Sequence, residues 1–343
     1  MIKDKLKRSL ISHPISARAL YHYYRIKHIG AVQRASEIRK TYSLFDFTAL
    51  AQDIPYCPNE IVIDNNLYGQ AFSIKRYAQI NYDLQAYIEH GLFWGGMVHQ
   101  DEYHWYTPRI ITFSERRRKD IAAKGIPKET VAIGPYIHYA EPLLQQAEFD
   151  KLKAELGKTL LVFPSKSILN IESKYDLDSF IDEVKRIGAG YKSILVSLFY
   201  LDARNQQLTA AYKSHGFKVV TAGHRYDNYF LDRQRTLLAL ADMSISNEVG
   251  THVGYCTHLG IPHYIFKQSL ERVGANAKEL ARELTLYEAE EDKRRNAEKD
   301  EVAAAFSTFN GEIITEEQRA VVNKFWGIAS VRTPQDLHNL LTS

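Results

Sequence analysis

Six residues of unlike chemistry crowd the stretch "SISNEVGTH": Ser246, Asn247, Glu248, Gly250, Thr251 and His252. A short apolar run precedes them and "VGYCTHLG" reads as a helix after them, so they fill the junction between a strand and a helix N-terminus. The first N–H groups of a helix have no partner of their own and carry the positive end of its dipole, which suits an anion such as a phosphate. Gly250 would let the anion approach, and Thr251 and His252 can donate hydrogen bonds to it. The Glu248 carboxylate suits hydroxyl groups such as those of a ribose. Capping the helix would need one such residue; the whole set exceeds that need.

Three further clusters stand at the ends of apolar runs. "AGHRYD" places His224 and Arg225 after "FKVVT". Two cations there would meet a diphosphate or a carboxylate, or Arg225 would simply pair with Asp227 on a surface loop. "VFPSKSI" supplies Ser165, Lys166 and Ser167 without the GxxxxGK[ST] spacing of a P-loop. "YIEHGLFWGG" sets Glu89 and His90 before Gly91, and either can serve as general base toward a hydroxyl if water is excluded. A histidine satisfied by backbone in a structural loop is the plain alternative. Behind it, "VHQDEYHWYTP" gathers His99, Asp101, Glu102 and His104. That set has neither HExxH nor zinc-site spacing, so no metal is expected.

The elements that must position these clusters alternate. In the first half, "EIVIDNN" from Glu60 to Asp64 has the β-branched content of a strand, and "YDLQAYIEHG" reads as the start of a helix that runs into a loop. "RIITFSERRRKDIAAKGIP" is strand then helix, capped by Ser114, and "ETVAIGPYIHYA" is a strand into a turn. The second half repeats the pattern more clearly, with strands at "TLLVFPS", "KSILVSLFYLD", "FKVVTAGH", "DMSISN" and "PHYIF" separated by helices. Such alternation predicts an α/β fold with parallel sheets, whose ligands sit at the carboxyl ends of the strands. The charged "EAEEDKRRNAEKDE" reads as a solvated surface helix, and two helices capped by Thr315 and Thr333 close the chain. The expected domains are residues 1–150, 151–315 and a terminal pair of helices over 316–343.

Composition excludes several classes. With 343 residues, 45% hydrophobic and 25% charged, the chain can bury real cores. Cys57 and Cys256 are too few and too far apart for a disulfide framework or a zinc site. No apolar run reaches the ~18 residues of a membrane span, and the first ten residues lack a signal-peptide core, so a cytoplasmic protein is expected. Residues 1–40 hold ten lysines and arginines against Asp4 and Glu37, a net of +8, whereas the whole chain is +3 and the remainder therefore −5. That basic segment, interleaved with Leu20, Tyr21, Tyr23, Tyr24 and Ile26, would suit the anionic surface of an inner membrane. An ordinary solvated helical face is the alternative. With an acidic body and no recognisable motif, nucleic acid is not expected.

The two α/β units, the "EHGLFWGG" loop of the first and "SNEVGTHVGYCTHLGIPHYIF" of the second together resemble the GT-B glycosyltransferases of bacterial lipopolysaccharide and capsule synthesis. The likeness covers most of residues 55–343 and is stronger in the second half. It implies two Rossmann-like domains facing across a cleft, with terminal helices returning to the first. A nucleotide-sugar donor would be the co-substrate, bound by the second unit through Ser246, Asn247, Gly250, Thr251 and His252, with Glu248 at the ribose. The base would rest near Ser165 and His224, and a glycan or glycolipid acceptor would lie against the first unit with Glu89 or His90 as base. The resemblance further implies catalysis without a metal or other cofactor, and the lack of a carboxylate seven residues beyond Glu248 points to inversion. Rivals on the same fold are a sugar-nucleotide epimerase, a polyol-phosphate transferase and a non-catalytic glycan-binding protein.

Overall fold

A computed structural model describes residues 13–54, 59–96, 98, 107–168, 171–274 and 289–342. Cys57, the cluster from His99 to His104 and the basic residues before His13 lie outside the described residues. Helix α1 spans Pro14–Lys40; Pro14 stands at its first turn, where a missing N–H costs nothing. Its inner face buries Tyr21, Val32, Ser36 and Arg39. Ile15, Tyr23, Ile26 and Ile38 face outward.

The first sheet has the order β1-β2-β3 (Ala86–Ile88, Arg109–Thr112, Glu129–Ala132), all parallel. Helix α2 (Gln70–Tyr77) precedes it, and α3 (Glu115–Ala123) lies between β2 and β3, with the Ser114 side chain accepting from Arg117 N at its start. Helix α4 (Gln146–Leu156) leads to the second sheet, of order β7-β6-β4-β8-β9 (Lys218–Val220, Ser193–Ser197, Thr159–Phe163, Met243–Ser246, His263–Ile265). All four pairings are parallel. Counted within the unit, that order is 3-2-1-4-5, and the direction of winding reverses between β4 and β8. Helices α5 (Leu177–Gly188), α6 (Gln206–Ser214), α7 (Phe230–Leu240) and α8 (Thr251–His258) connect these strands. A small antiparallel pair, β5 (Glu172–Lys174) with β10 (Glu271–Val273), flanks them.

Helix α9 (Ala289–Phe306) is followed by α10 (Glu316–Trp326) and α11 (Pro334–Thr342), the last two capped by Thr315 and Thr333. Both terminal helices reach the first unit. Gly327 is pressed against the Phe113 carbonyl, His338 Nδ1 lies 2.7 Å from the Ala78 oxygen, and Arg109 donates to the Leu340 carbonyl. Trp326 fills the space above Gly254 on α8, where any Cβ would stand 2.2 Å from the indole. One apolar core runs through both units, from Ile88 and Ile111 to Leu161, Val253 and Trp326. The chain is thus α/β with two parallel, Rossmann-like units.

Three local expectations fail. Residues 60–64 are no strand; the chain turns into a 3-10 segment at Ile63–Gly69. The Asn66 side chain accepts from Asn59 N and Glu60 N and donates to the Glu60 and Val62 carbonyls, taking the bonds a ladder would need. "YDLQAYI" forms no helix but ends in β1, because Asn65 bonds both the Ala86 carbonyl and the Ile88 amide. Helix α9 is not merely solvated. Glu298 is buried against the first unit, accepting from Gly95 N and Arg116, and Glu291 accepts from Gly96 N.

Candidate functional site

The loops leaving β4 and β8 meet where the winding reverses, the place where open α/β sheets leave a crevice. Ser165 N donates to Asn247 Oδ1 at 2.7 Å, and Ser165 Oγ donates to Glu248 Oε2 at 2.6 Å. Beyond that junction lies a cleft of about 410 Å³ lined from both units. The second unit contributes Ser165, Lys166, Arg225, Glu248, Gly250, Thr251 and His252, and the first contributes Tyr68, Gln70, His90, Gly91 and Trp94.

Of the residues singled out from the sequence, five are not on this cleft. Asn247 and Ser246 are fully buried, with Asn247 Nδ2 donating to Gln268 and Ser246 Oγ donating to the Glu248 carbonyl, 3.0 Å from His263 Nε2. They shape the loop instead of facing a ligand. Ser167 is used by the scaffold, its N–H donating to Asp202 and its hydroxyl accepting from Ser173 N. His224 is buried against Tyr200, and its Nδ1 accepts from Tyr226 N. Burial, foremost, pulls its pKa down to about 4. A neutral imidazole turned away from the cleft is no cation for a diphosphate, and Arg225 alone remains on it.

Glu89 is the fifth residue that does not line the cleft. Its carboxylate is buried and clamped by Arg117, with Nη2 to Oε1 at 2.5 Å and Nε to both oxygens at 3.0 Å. Thr112 Oγ1 donates a further bond at 2.6 Å. Side chains alternate along a strand, so Glu89 goes inward where β1 ends and His90, one residue on, goes to the cleft. Both carboxylate oxygens are thus engaged within the first unit, and Glu89 does not line the cleft. His90 is half-exposed, its carbonyl fixed by Gln70 Nε2 at 2.9 Å. Its Nδ1 meets no hydrogen-bond partner and lies 3.9 Å from Asp64 Oδ2.

Helix α8 begins at Gly250, whose backbone is extended and whose side carries no cap. The glycine serves a purpose the sequence did not disclose. A Cβ there would stand 2.8 Å from the His252 ring, so its absence lets the imidazole fold back over the loop. His252 stacks on Phe163, with centroids 4.7 Å apart and planes 18° from parallel. Burial first, and then the charge of Lys166, bring its pKa down to about 3. It is therefore neutral near pH 7, and its Nε2 is enclosed without a partner. Glu248 pairs with Arg272 of β10 at 2.8 and 3.0 Å, both half-buried. Lys166, Arg225 and Arg272 make the second-unit wall of the cleft basic.

Arg272, Asp64 and Tyr68 were not found by reading the sequence. Each acts with a residue distant along the chain, and no local pattern marks them. Among the described residues no three His, Cys, Asp or Glu side chains gather as a metal site, and no helix is long and apolar enough to cross a membrane.

No protein-family model matches this chain, and a comparison with curated proteins finds no match. Among solved structures it resembles the wall teichoic acid polymerase TagF, with TM-score 0.36 and 13% identity over 69% of this chain and 57% of that one. In that alignment the chain spans less than two thirds of its neighbour. A variant of the same polymerase aligns over 94% of this chain and 96% of the other, with TM-score 0.42 and 12% identity. UGT71G1 of Medicago truncatula, complexed with UDP-glucose, aligns over 80% and 68%, with TM-score 0.32 and 16% identity. Likenesses this distant leave function to be argued from the site.

Proposed function

We propose that the protein transfers a sugar from a nucleotide-sugar donor to a growing lipopolysaccharide or capsule glycan, with inversion and without a metal. The observation that carries this reading is the meeting of the β4 and β8 loops at the reversal of winding, with His90 of the other unit across the same cleft. The donor phosphates would rest against the first turn of α8, with Thr251, Lys166 and Arg225 around them, and Glu248 would meet the ribose. Charge developing on the departing phosphate oxygen is stabilised there by helix N–H groups and cations, which is the part a metal plays elsewhere. His90 takes the proton of the acceptor hydroxyl as its oxygen bonds to the anomeric carbon and the bond to the phosphate breaks. Glu89 has no place in that step; through Arg117 it holds the end of β1.

The outward face of α1 supports a peripheral site at an inner-membrane surface. Ile15, Tyr23 and Ile26 are exposed there beside Arg18 and Lys27, a combination that suits an anionic bilayer.

A thermal-shift series with CMP, UDP, CDP, GDP and ADP and their sugar conjugates tests the donor reading. Saturating ligand at a hundredfold excess over Kd stabilises by about 2.7 kcal/mol. A rise in Tm with one nucleotide class is expected. No rise with any of them would turn the assignment to the non-catalytic glycan-binding protein.

A further inference from the structure

We infer that Tyr68, Phe199 and Phe230 form an aromatic slot for the donor's nucleobase, built from both units and occupied in the free protein by the Lys166 ammonium. This deepens the donor reading above and rests on it.

Three half-buried rings line the same end of the cleft. Tyr68 belongs to the first unit; its ring centroid lies 6.4 Å from that of Phe199 and 5.1 Å from that of Phe230, both of the second. Lys166 Nζ lies over the Tyr68 ring at 5.6 Å and over Phe199 at 5.3 Å. A cation over an aromatic face marks a surface that a flat π system can also cover. Lysine carries its charge on a flexible stem, so a base entering the slot can displace it without disturbing the loop backbone. The displaced ammonium stays near the α8 end of the cleft, where its charge already reaches His252. Entry of the base would thus deliver Lys166 toward the phosphates.

The backbone of Tyr68 supports a purpose beyond packing. Its φ is +57°, a left-handed conformation that a tyrosine adopts only where its surroundings impose it, and such strain gathers at binding sites. At that kink Tyr68 N donates to the Arg225 carbonyl of the opposite unit at 2.6 Å. Gly69 follows at φ +66°, with the Asn228 carbonyl 2.2 Å from where a Cβ would stand. The ring of the first unit is therefore held at the loop that carries Arg225.

The test is isothermal titration of the full chain with the nucleoside diphosphate that gives the largest thermal shift, with inorganic pyrophosphate as the baseless control. Tyr68→Leu and Phe199→Leu keep apolar bulk but remove the π face, and melting curves confirm that each variant is folded. Stacking on an aromatic ring accounts for about tenfold in affinity or more. Each variant should weaken the nucleoside diphosphate by that factor and leave pyrophosphate unchanged, and Tyr68→Phe should restore binding. Equal loss for both ligands, or no loss for either, overturns the slot. Failure of the wild-type chain to bind any nucleotide is a separate outcome that overturns the donor reading itself.

Discussion

Two loops in this molecule carry a glutamate, a glycine and a histidine at a strand end, and they use them differently. After β1, Glu89 is buried in a clamp with Arg117 and Thr112 while His90 reaches the cleft. After β8, Ser246 and Asn247 are the buried members, and Glu248 stays half-buried beside Arg272 on the cleft wall. The contrast teaches that a polar residue next to a site is not thereby part of its chemistry. In each loop the innermost polar groups hold the backbone, and the next ones along the chain line the cleft.

The sharpest break of this comparison is His90→Gln. General-base assistance is worth about 10² to 10⁴-fold in rate. Turnover of the donor identified by thermal shift should fall by that much, with melting temperature and nucleotide affinity unchanged. A variant that retains full turnover removes His90 from the reaction. Arg117→Ala addresses the other member of the pair. Removing one partner of a buried ion pair leaves an uncompensated charge and costs about 3–5 kcal/mol. Chemical denaturation should show that loss. A change below 1 kcal/mol would mean that Glu89 is free to act elsewhere. Glu89→Gln cannot decide between base and scaffold by activity alone, since it would disturb the same clamp.

A smaller effect concerns acid. Burial, foremost, depresses His252 to about 3 and His224 and His258 to about 4, and holds His263 well below its ordinary value. These groups stay neutral in the folded chain while the unfolded chain protonates them near pH 6.5. The unfolded state then binds more protons, so stability is full above about pH 6.5 and declines as pH falls toward 4. Each histidine contributes up to about 2 kcal/mol of that decline by pH 5. Melting temperature should drop between pH 7 and 5, and less so in His258→Gln. An unchanged melting temperature over that range would show that these imidazoles are not held neutral.

How much of this was legible in sequence follows from which forces are local. The second unit reads well because "TLLVF" and "MSIS" become strands buried on every residue, so composition alone marks them. Glu60 to Asp64 has similar β-branched content and misleads, because Asn65 and Asn66 spend their amides on nearby backbone. Helix α9 misleads for another reason: its acids answer to Gly95 and Gly96, about two hundred residues earlier in the chain. The site divides the same way. His90, Lys166 and Thr251 announce themselves beside glycines or at strand ends, whereas nothing near Glu248 reveals that Arg272 will meet it.

That last pair gives the finest test of the comparison. Glu248 accepts from Ser165 Oγ and from Arg272, yet both charged side chains remain more than a quarter exposed. Solvent screens such a pair, and its contribution is about 0–1 kcal/mol. Glu248→Gln should therefore shift stability very little, unlike Arg117→Ala. Its effect belongs to the ligand: a carboxylate that accepts from ribose hydroxyls favours a ribonucleotide over its dideoxy analogue, and an amide does so less. The wild-type chain should bind the ribonucleotide several-fold more tightly than the 2′,3′-dideoxy form, and the variant should lose most of that preference. If both proteins discriminate equally, Glu248 serves the fold as Glu89 does, and the two loops are more alike than their exposure implies.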